Sequence, residues 1–303
     1  MFKHLLGLRN VGREEILTVL DTARGMKEVL GRRIKKVPTL RGRIVVLLFF
    51  EPSTRTRVSF ELAAKALSAD TVSITAAASS VAKGESLRDT VRTLTAMGAD
   101  LLVIRHPASG AAEAAARATT AAVINAGDGT HEHPTQALLD LFTMREAKGR
   151  LEGLTVTIVG DIRHSRVARS NVWALRAVGA EVRLAGPATL LPPEAAALGI
   201  PCYTTLDEAL EGADVVMALR LQLERMRANY LPSLREYTRL YCITRERLAR
   251  AKPDVLLMHP GPVNRGVELA PDLVENAPSV IEEQVTNGVA VRMALLYLML
   301  GGE

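Results

Sequence analysis

Short runs of Val, Ile and Leu, each long enough for one strand and no more, alternate with segments of helical length along most of the chain. No other feature restricts the fold as much. Runs at 44–50, 71–75, 101–105 and 122–124 are separated by stretches at 53–67, 86–97 and 108–119, where Ala, Leu and charged residues recur at helical spacing. A helical stretch from Pro134 to about Lys148 follows, and strand-length runs resume at 154–160, 181–185, 215–219 and 255–258. Strands that are apolar almost throughout suit parallel sheets covered by helices on both faces. The expected fold is α/β, with two domains, each a doubly wound parallel sheet flanked by helices.

A length of 303 residues favours two domains over one. The break in composition at Gly149-Arg150-Leu151-Glu152-Gly153 separates the two sets of strands, with 134–148 as the connecting helix. The expected boundaries are 1–135 for the first domain and 136–287 for the second. The closing segment, 288–300, reads as an amphipathic or nearly buried helix. Its periodicity does not decide which sheet it covers, and 288–303 is expected to pack back on the first domain. The longest apolar run, 44–50, is far too short to span a bilayer as a helix. Met1-Phe2-Lys3-His4 leads into no secretory core, and two cysteines, Cys202 and Cys242, supply neither a disulfide framework nor a thiolate metal cluster. A soluble, cytoplasmic protein that binds no membrane is expected. Lys plus Arg number 38 against 33 for Asp plus Glu, a net charge of +5, with only 4% aromatic residues. There is no dense basic stripe and there are few stacking platforms, which argues against a nucleic-acid partner and leaves a pocket for an anionic substrate as the place for the excess.

One segment fits such a pocket. Phe50-Glu51-Pro52-Ser53-Thr54-Arg55-Thr56-Arg57 follows a hydrophobic strand and precedes a helix whose apolar side is read as Val58, Leu62 and Ala66. Ser53 suits the N-cap. The N–H groups of a helix start, with hydroxyls from Ser53, Thr54 and Thr56 and the Arg55 guanidinium, suit the oxygens of a phosphate dianion. From this segment alone, an ordinary serine-capped helix with solvated arginines is an equal reading. It is not a P-loop, because the Gly-x4-Gly-Lys-Ser/Thr pattern is absent. Arg105 ends a strand, where open α/β sheets place ligands, although a strand-end surface arginine is the plainer reading of that residue by itself. His133 and Gln136 are three apart at a helix start and can direct polar atoms to one small ligand. His131 and His133 have no acidic or thiol partner spaced to complete a metal site. Val159-Gly160-Asp161 ends a strand as in nucleotide-binding domains, but no Gly-x-Gly-x-x-Gly turn follows it.

The segment 50–57 resembles the carbamoyl phosphate signature of the transcarbamoylase family, which comprises aspartate and ornithine carbamoyltransferases and their relatives. The resemblance extends through Ser79-Ser80-Val81-Ala82-Lys83-Gly84-Glu85-Ser86, similar to the family's mobile loop, to Arg105-His106-Pro107 and His133-Pro134-Thr135-Gln136. It continues beyond Gly160 and covers essentially the whole chain.

The resemblance implies that Ser53, Thr54, Arg55, Thr56 and Arg105 hold carbamoyl phosphate, that Ser79 and Lys83 reach into the site of a neighbouring subunit, and that His133 and Gln136 contact the carbamoyl group. Arg55, Thr56, Lys83, Arg105 and His133 would be the catalytic set. Arg166, Arg220 and Gln222 match the aspartate branch, in which two guanidinium forks suit a dicarboxylate and would repel ornithine. His259-Pro260-Gly261-Pro262 matches that branch too. Pro260 and Gly261 are assigned to carbamoyl phosphate, and Lys83, Gly261 and Pro262 join the aspartate-binding set. Gly261 stands where the best-known members carry leucine or alanine. The implied reaction moves the carbamoyl group of carbamoyl phosphate to the amine of L-aspartate, the committed step of de novo pyrimidine biosynthesis, with no metal and no cofactor. The implied working unit is a homotrimer with shared active sites, and association with regulatory or dihydroorotase-like chains stays open. An enzyme for another amine, such as an N-acylated ornithine, and an inactive scaffold with this fold are the competing readings.

Overall fold

Strand-length runs become two five-stranded sheets in which every pairing is parallel. The computed structural model describes residues 3–75, 84–226, 230–275 and 280–301. It divides into two units, Met1–Phe142 with Val285–Glu303, and Thr143–Gln284.

Unit 1 runs β1 (His4–Leu5), α1 (Arg13–Gly31), β2 (Ile44–Phe49), α2 (Thr54–Ala66), β3 (Asp70–Thr75), α3 (Leu87–Ala96), β4 (Leu101–His106), α4 (Ala111–Ala116), β5 (Ala122–Asp128) and the start of α5 (Pro134–Lys148). The strand order is β1-β5-β4-β2-β3. The chain therefore winds outward from β2 to β3, returns across β2 to β4, and winds the other way to β5. Leu47, Leu48 and Leu101 to Ile104 are inaccessible to solvent, as central strands covered on both faces must be.

Unit 2 continues from α5 through β6 (Thr155–Val159), α6 (Arg166–Ala177), β7 (Glu181–Ala185), α7 (Glu194–Ala197), β8 (Cys202–Tyr203), α8 (Leu206–Leu210), β9 (Val215–Ala218), α9 (Leu234–Tyr241), α10 (Arg245–Leu248), β10 (Leu256–Met258) and α11 (Pro271–Glu275). Its order, β10-β9-β6-β7-β8, reverses between β6 and β9. The last helix, α12 (Ile281–Leu300), belongs to unit 1 from Val285 onward, and Ala290 to Leu296 are buried. The divisions fall inside α5 and α12. The edge strands β1 and β8 have two residues each, too few to leave a periodic signal in the sequence. Among the described residues no helix is long and apolar enough to cross a membrane.

The inward face of α2 differs from the sequence expectation. Val58 and Leu62 are 39% and 52% exposed, while Thr56, Ser59, Phe60, Ala63 and Ala64 are buried, as is Ala66. At about 100° per residue, the two large aliphatic side chains stand about 200° round the helix from the buried stripe. Phe60 and small alanines let the helix lie close on the sheet. The far end of α2 is tied down by Val37 and Leu40, whose N–H groups donate to the carbonyls of Ala66 and Leu67 at 2.8 Å each.

Candidate active site

Open α/β sheets bind ligands beyond the carboxyl ends of their strands, where the strand order reverses. In unit 1 that point lies between β2 and β4. Phe49 is in register with Arg105, and the Phe50 N–H donates to the Arg105 carbonyl at 2.8 Å, so the loop after β2 and the end of β4 lie side by side. Ser53 has the extended conformation of an N-cap, φ −162° and ψ 97°, but its hydroxyl makes no cap hydrogen bond. Thr54 and Arg55 are exposed in the first turn of α2, whereas Thr56 is buried. The half-buried Arg105 guanidinium is oriented from two sides. Its Nε lies 3.4 Å from Glu51 Oε2, and its Nη1 donates to the Ala126 carbonyl at 3.3 Å.

His106 packs edge-on against Phe50 with ring centroids 5.3 Å apart, and its Nδ1 accepts the Ala108 N–H at 2.9 Å. Burial pulls its pKa below the ordinary imidazole value, although the Glu51 and Asp128 charges act the other way. The Ala108 N–H on Nδ1 fixes the ring against Phe50.

His133 reaches the same edge by way of β5. Buried Asp128 accepts from the Gly110 N–H at 2.6 Å, Asn125 Nδ2 at 2.8 Å and the Glu132 N–H at 3.2 Å, and pairs with His131 Nδ1 at 3.1 Å. Glu132, also buried, accepts the Leu8 N–H at 2.8 Å. These bonds shape the 128–132 turn, which delivers the buried His133 to the start of α5, where its carbonyl accepts the Gln136 N–H at 3.0 Å. Gln136 Nε2 donates to Asp140 Oδ1 at 3.0 Å. β5, β4 and β2 are successive neighbours, so the end of β2 before the 53–56 turn, the end of β4 that carries Arg105 and the end of β5 before the turn to His133 lie within about 10 Å at ordinary strand spacing. Ser79 and Lys83 lie outside the described residues.

Unit 2 repeats this logic between β6 and β9. Asp161, just past β6 and inaccessible, pairs with His164 Nδ1 at 2.8 Å and accepts the Gln222 N–H at 3.3 Å. Ser165 caps α6 through the Ala168 N–H at 3.1 Å, and Arg166, the first residue of α6, is buried. Arg220 follows β9 and donates through Nη1 to the Leu221 carbonyl at 3.3 Å. Glu268 holds this segment from the other side: its carboxylate accepts the Leu221 N–H at 3.0 Å, the Asn264 N–H at 2.9 Å and Asn264 Nδ2 at 2.8 Å. Burial pushes Glu268 above the usual carboxylate range despite these three donors. After β10, buried His259 accepts the Gly261 N–H on Nδ1 at 2.8 Å. Gly261 has φ +63°, a left-handed conformation that a residue with a Cβ adopts at a cost of about 1–2 kcal/mol. Pro260, Gly261 and Pro262 thus lie at the carboxyl end of β10, beside β9.

Two family descriptions match in succession: the carbamoyl-P binding domain of aspartate/ornithine carbamoyltransferase over residues 3–146, and the Asp/Orn binding domain over residues 152–299. The chain belongs to the aspartate/ornithine carbamoyltransferase family. It is 64% identical over 300 residues to the aspartate carbamoyltransferase catalytic subunit of Heliobacterium modesticaldum, covering 99% of this chain and 96% of that protein. The corresponding subunit of Pelotomaculum thermopropionicum is also 64% identical, over 99% of this chain and 97% of its own. Among solved structures, aspartate transcarbamoylase from Trypanosoma cruzi in complex with carbamoyl phosphate and aspartate is similar with a TM-score of 0.88 at 32% identity, covering 98% of this chain and 96% of that one. Ornithine carbamoyltransferase from Pyrococcus furiosus is similar with a TM-score of 0.87 at 31% identity, covering 99% and 97%.

Around the family motifs, sequence reasoning missed two residues that hold them, Asp140 and Glu268. Asp140 lies one helical turn beyond Gln136, a spacing from which their contact was readable. Glu268 left no such signal, because it acts on Leu221, 47 positions away in the chain.

Proposed function

We propose that this chain is the catalytic polypeptide of an aspartate carbamoyltransferase. It transfers the carbamoyl group of carbamoyl phosphate to the amine of L-aspartate, producing N-carbamoyl-L-aspartate and phosphate, and so serves pyrimidine biosynthesis in the cytoplasm. The observation that carries this reading is that Phe50, at the entry to the 53–56 turn, is hydrogen-bonded to Arg105 at the point of strand reversal in unit 1.

Ser53, Thr54, Arg55, Thr56 and Arg105 take the phosphate, with Ser79 and Lys83 contributed by a neighbouring subunit of a homotrimer. Arg55, Thr56 and His133 donate to the carbamoyl oxygen, and Gln136, with the backbone at Pro260 and Gly261, receives the carbamoyl amide. Arg166 and Arg220 pair with the two carboxylates of aspartate, assisted by Gln222, Lys83, Gly261 and Pro262. The uncharged amine attacks the carbamoyl carbon, a C–N bond forms, the C–O bond to phosphate breaks, and the amine proton passes to the departing phosphate. Donors aimed at the developing oxyanion, together with fixed orientation of the reactants, lower the barrier. Support for the aspartate branch comes from the two arginines on unit 2 and from the relatives named as catalytic subunits. That name also agrees with association with regulatory chains.

The test is aspartate-dependent phosphate release. Arg55→Ala is expected to lower kcat about 100- to 1,000-fold, the effect of removing one such donor. Turnover with ornithine in place of aspartate, or an unimpaired Arg55→Ala enzyme, would refute the reading.

A further inference from the structure

Arg292 is the one arginine of α12, and it is buried in unit 1, outside every motif used above. Its Nη1 donates to Ser59 Oγ at 2.8 Å, and its Cζ stands 5.1 Å from the centroid of the Phe60 ring, both on the buried face of α2. A Cβ at Gly288, one turn earlier on α12, would come within 2.7 Å of Arg292 Nη1 and 3.2 Å of Leu139 Cδ2 on α5. Glycine therefore opens the niche that the guanidinium fills between three helices. Burial pulls its pKa down to about 10, and the charge of Asp140 opposes that pull. A buried cation is tolerated only beside a compensating charge and hydrogen-bond acceptors. Asp140, inaccessible to solvent, supplies the charge and also accepts Nε2 of Gln136 at 3.0 Å.

We propose that Arg292 is a positioning residue for the carbamoyl group, acting through Asp140 to fix which end of the Gln136 amide faces the ligand. A carboxylate accepts hydrogen bonds and donates none, so Asp140 binds the NH2 end of Gln136 and leaves the carbonyl end for the carbamoyl NH2. Ser59 and Phe60 hold the guanidinium still, and the charge of Arg292 sustains the carboxylate that does the orienting. The proposal rests on the reading of Gln136 as a carbamoyl contact.

The test compares the full-length wild type with Arg292→Met, Asp140→Asn, Gln136→Ala and the double variant Gln136→Ala/Arg292→Met. Three quantities are read: KM for carbamoyl phosphate, kcat, and the inhibition constant of inorganic phosphate, which has no carbamoyl group. Arg292→Met is expected to raise KM for carbamoyl phosphate about tenfold, the worth of one well-oriented hydrogen bond, while the phosphate constant stays within about twofold. In the Gln136→Ala background the same change is expected to add less than about twofold, because its target is gone. An unchanged KM, a phosphate constant that moves in parallel with KM, or an undiminished loss in the Gln136→Ala background would each overturn the proposal. If Arg292→Met gives no cooperative melt, Asp140→Asn, which keeps the shape and lets the amide turn over, is read against the same thresholds. A wild-type enzyme without aspartate-dependent phosphate release defeats the functional reading itself; an active wild type with an unaltered Arg292→Met variant defeats only this proposal.

Discussion

Replacing Gly160 by alanine is expected to unseat the Arg220 segment. Gly160 follows β6 with φ +126°, and a Cβ there would stand 2.8 Å from the Leu219 carbonyl oxygen, 3.2 Å from the Tyr237 hydroxyl and 3.3 Å from Leu219 Cβ. Neither neighbour has room to yield. The Leu219 N–H is tied to the Val159 carbonyl at 2.8 Å, and Tyr237 is 2% exposed and stacked on Tyr241 with ring centroids 5.5 Å apart. Backbone strain at this φ costs about 1–3 kcal/mol. Overpacking adds about 1–3 kcal/mol. The sum, about 2–6 kcal/mol, is a large part of an ordinary domain's stability. Gly212→Ala is the control, since Gly212 has φ +65° with nothing within 4 Å of a Cβ, so only a backbone term of about 1–2 kcal/mol applies. Urea unfolding of the two variants gives the difference in stability, and their KM for aspartate gives the displacement of Arg220. Stabilities within about 1 kcal/mol of each other, with the same aspartate KM, would refute the claim that the packing around Gly160 is rigid.

Three further variants separate packing from charge. Phe60→Ala is expected to cost about 3–5 kcal/mol and Leu62→Ala no more than about 0.5 kcal/mol, because only Phe60 faces the core; equal losses in chemical denaturation would reverse the assigned face of α2. Asp214 accepts the Thr155 N–H at 2.9 Å and Lys252 Nζ at 2.8 Å. Burial pushes its pKa up, but those two hydrogen bonds and the charges of Lys252 and Arg150 prevail and hold it below the ordinary value. Asp214→Ala leaves the Thr155 N–H without that acceptor, at about 1–3 kcal/mol. Since a lowered carboxylate pKa adds stability above the unfolded value, near pH 4, and loses it as pH falls through the folded one, the gap between wild type and variant should narrow below about pH 4. A gap of constant size from pH 7 to pH 3 would contradict that assignment.

The elements that carry the proposed site were legible in the sequence where their signals are local. A strand followed by Ser53-Thr54-Arg55-Thr56 is a helix start rich in donors whatever surrounds it, and Arg105 could be placed at a strand end from the apolar run before it. The boundary residues of α2 were also readable, yet its inward face was not. Val58 and Leu62 are as hydrophobic as Phe60, and only the close approach of Ala63 and Ala64 to the sheet determines which side goes in.

By itself, the sequence determined the α/β alternation, the strands and helices long enough to show a period, and the residues that a carbamoyl phosphate signature requires. Tertiary structure alone decided that β4 lies beside β2 and β9 beside β6, because each of these pairings skips the strands formed in between and follows no local spacing, and those pairings create the two reversal points. It also decided that Arg292 joins Ser59 across 233 positions and that Glu268 holds Leu221. Such pairs obey no local spacing; they form because a buried charge or N–H group must find a partner within reach, and which groups are within reach is a property of the folded chain.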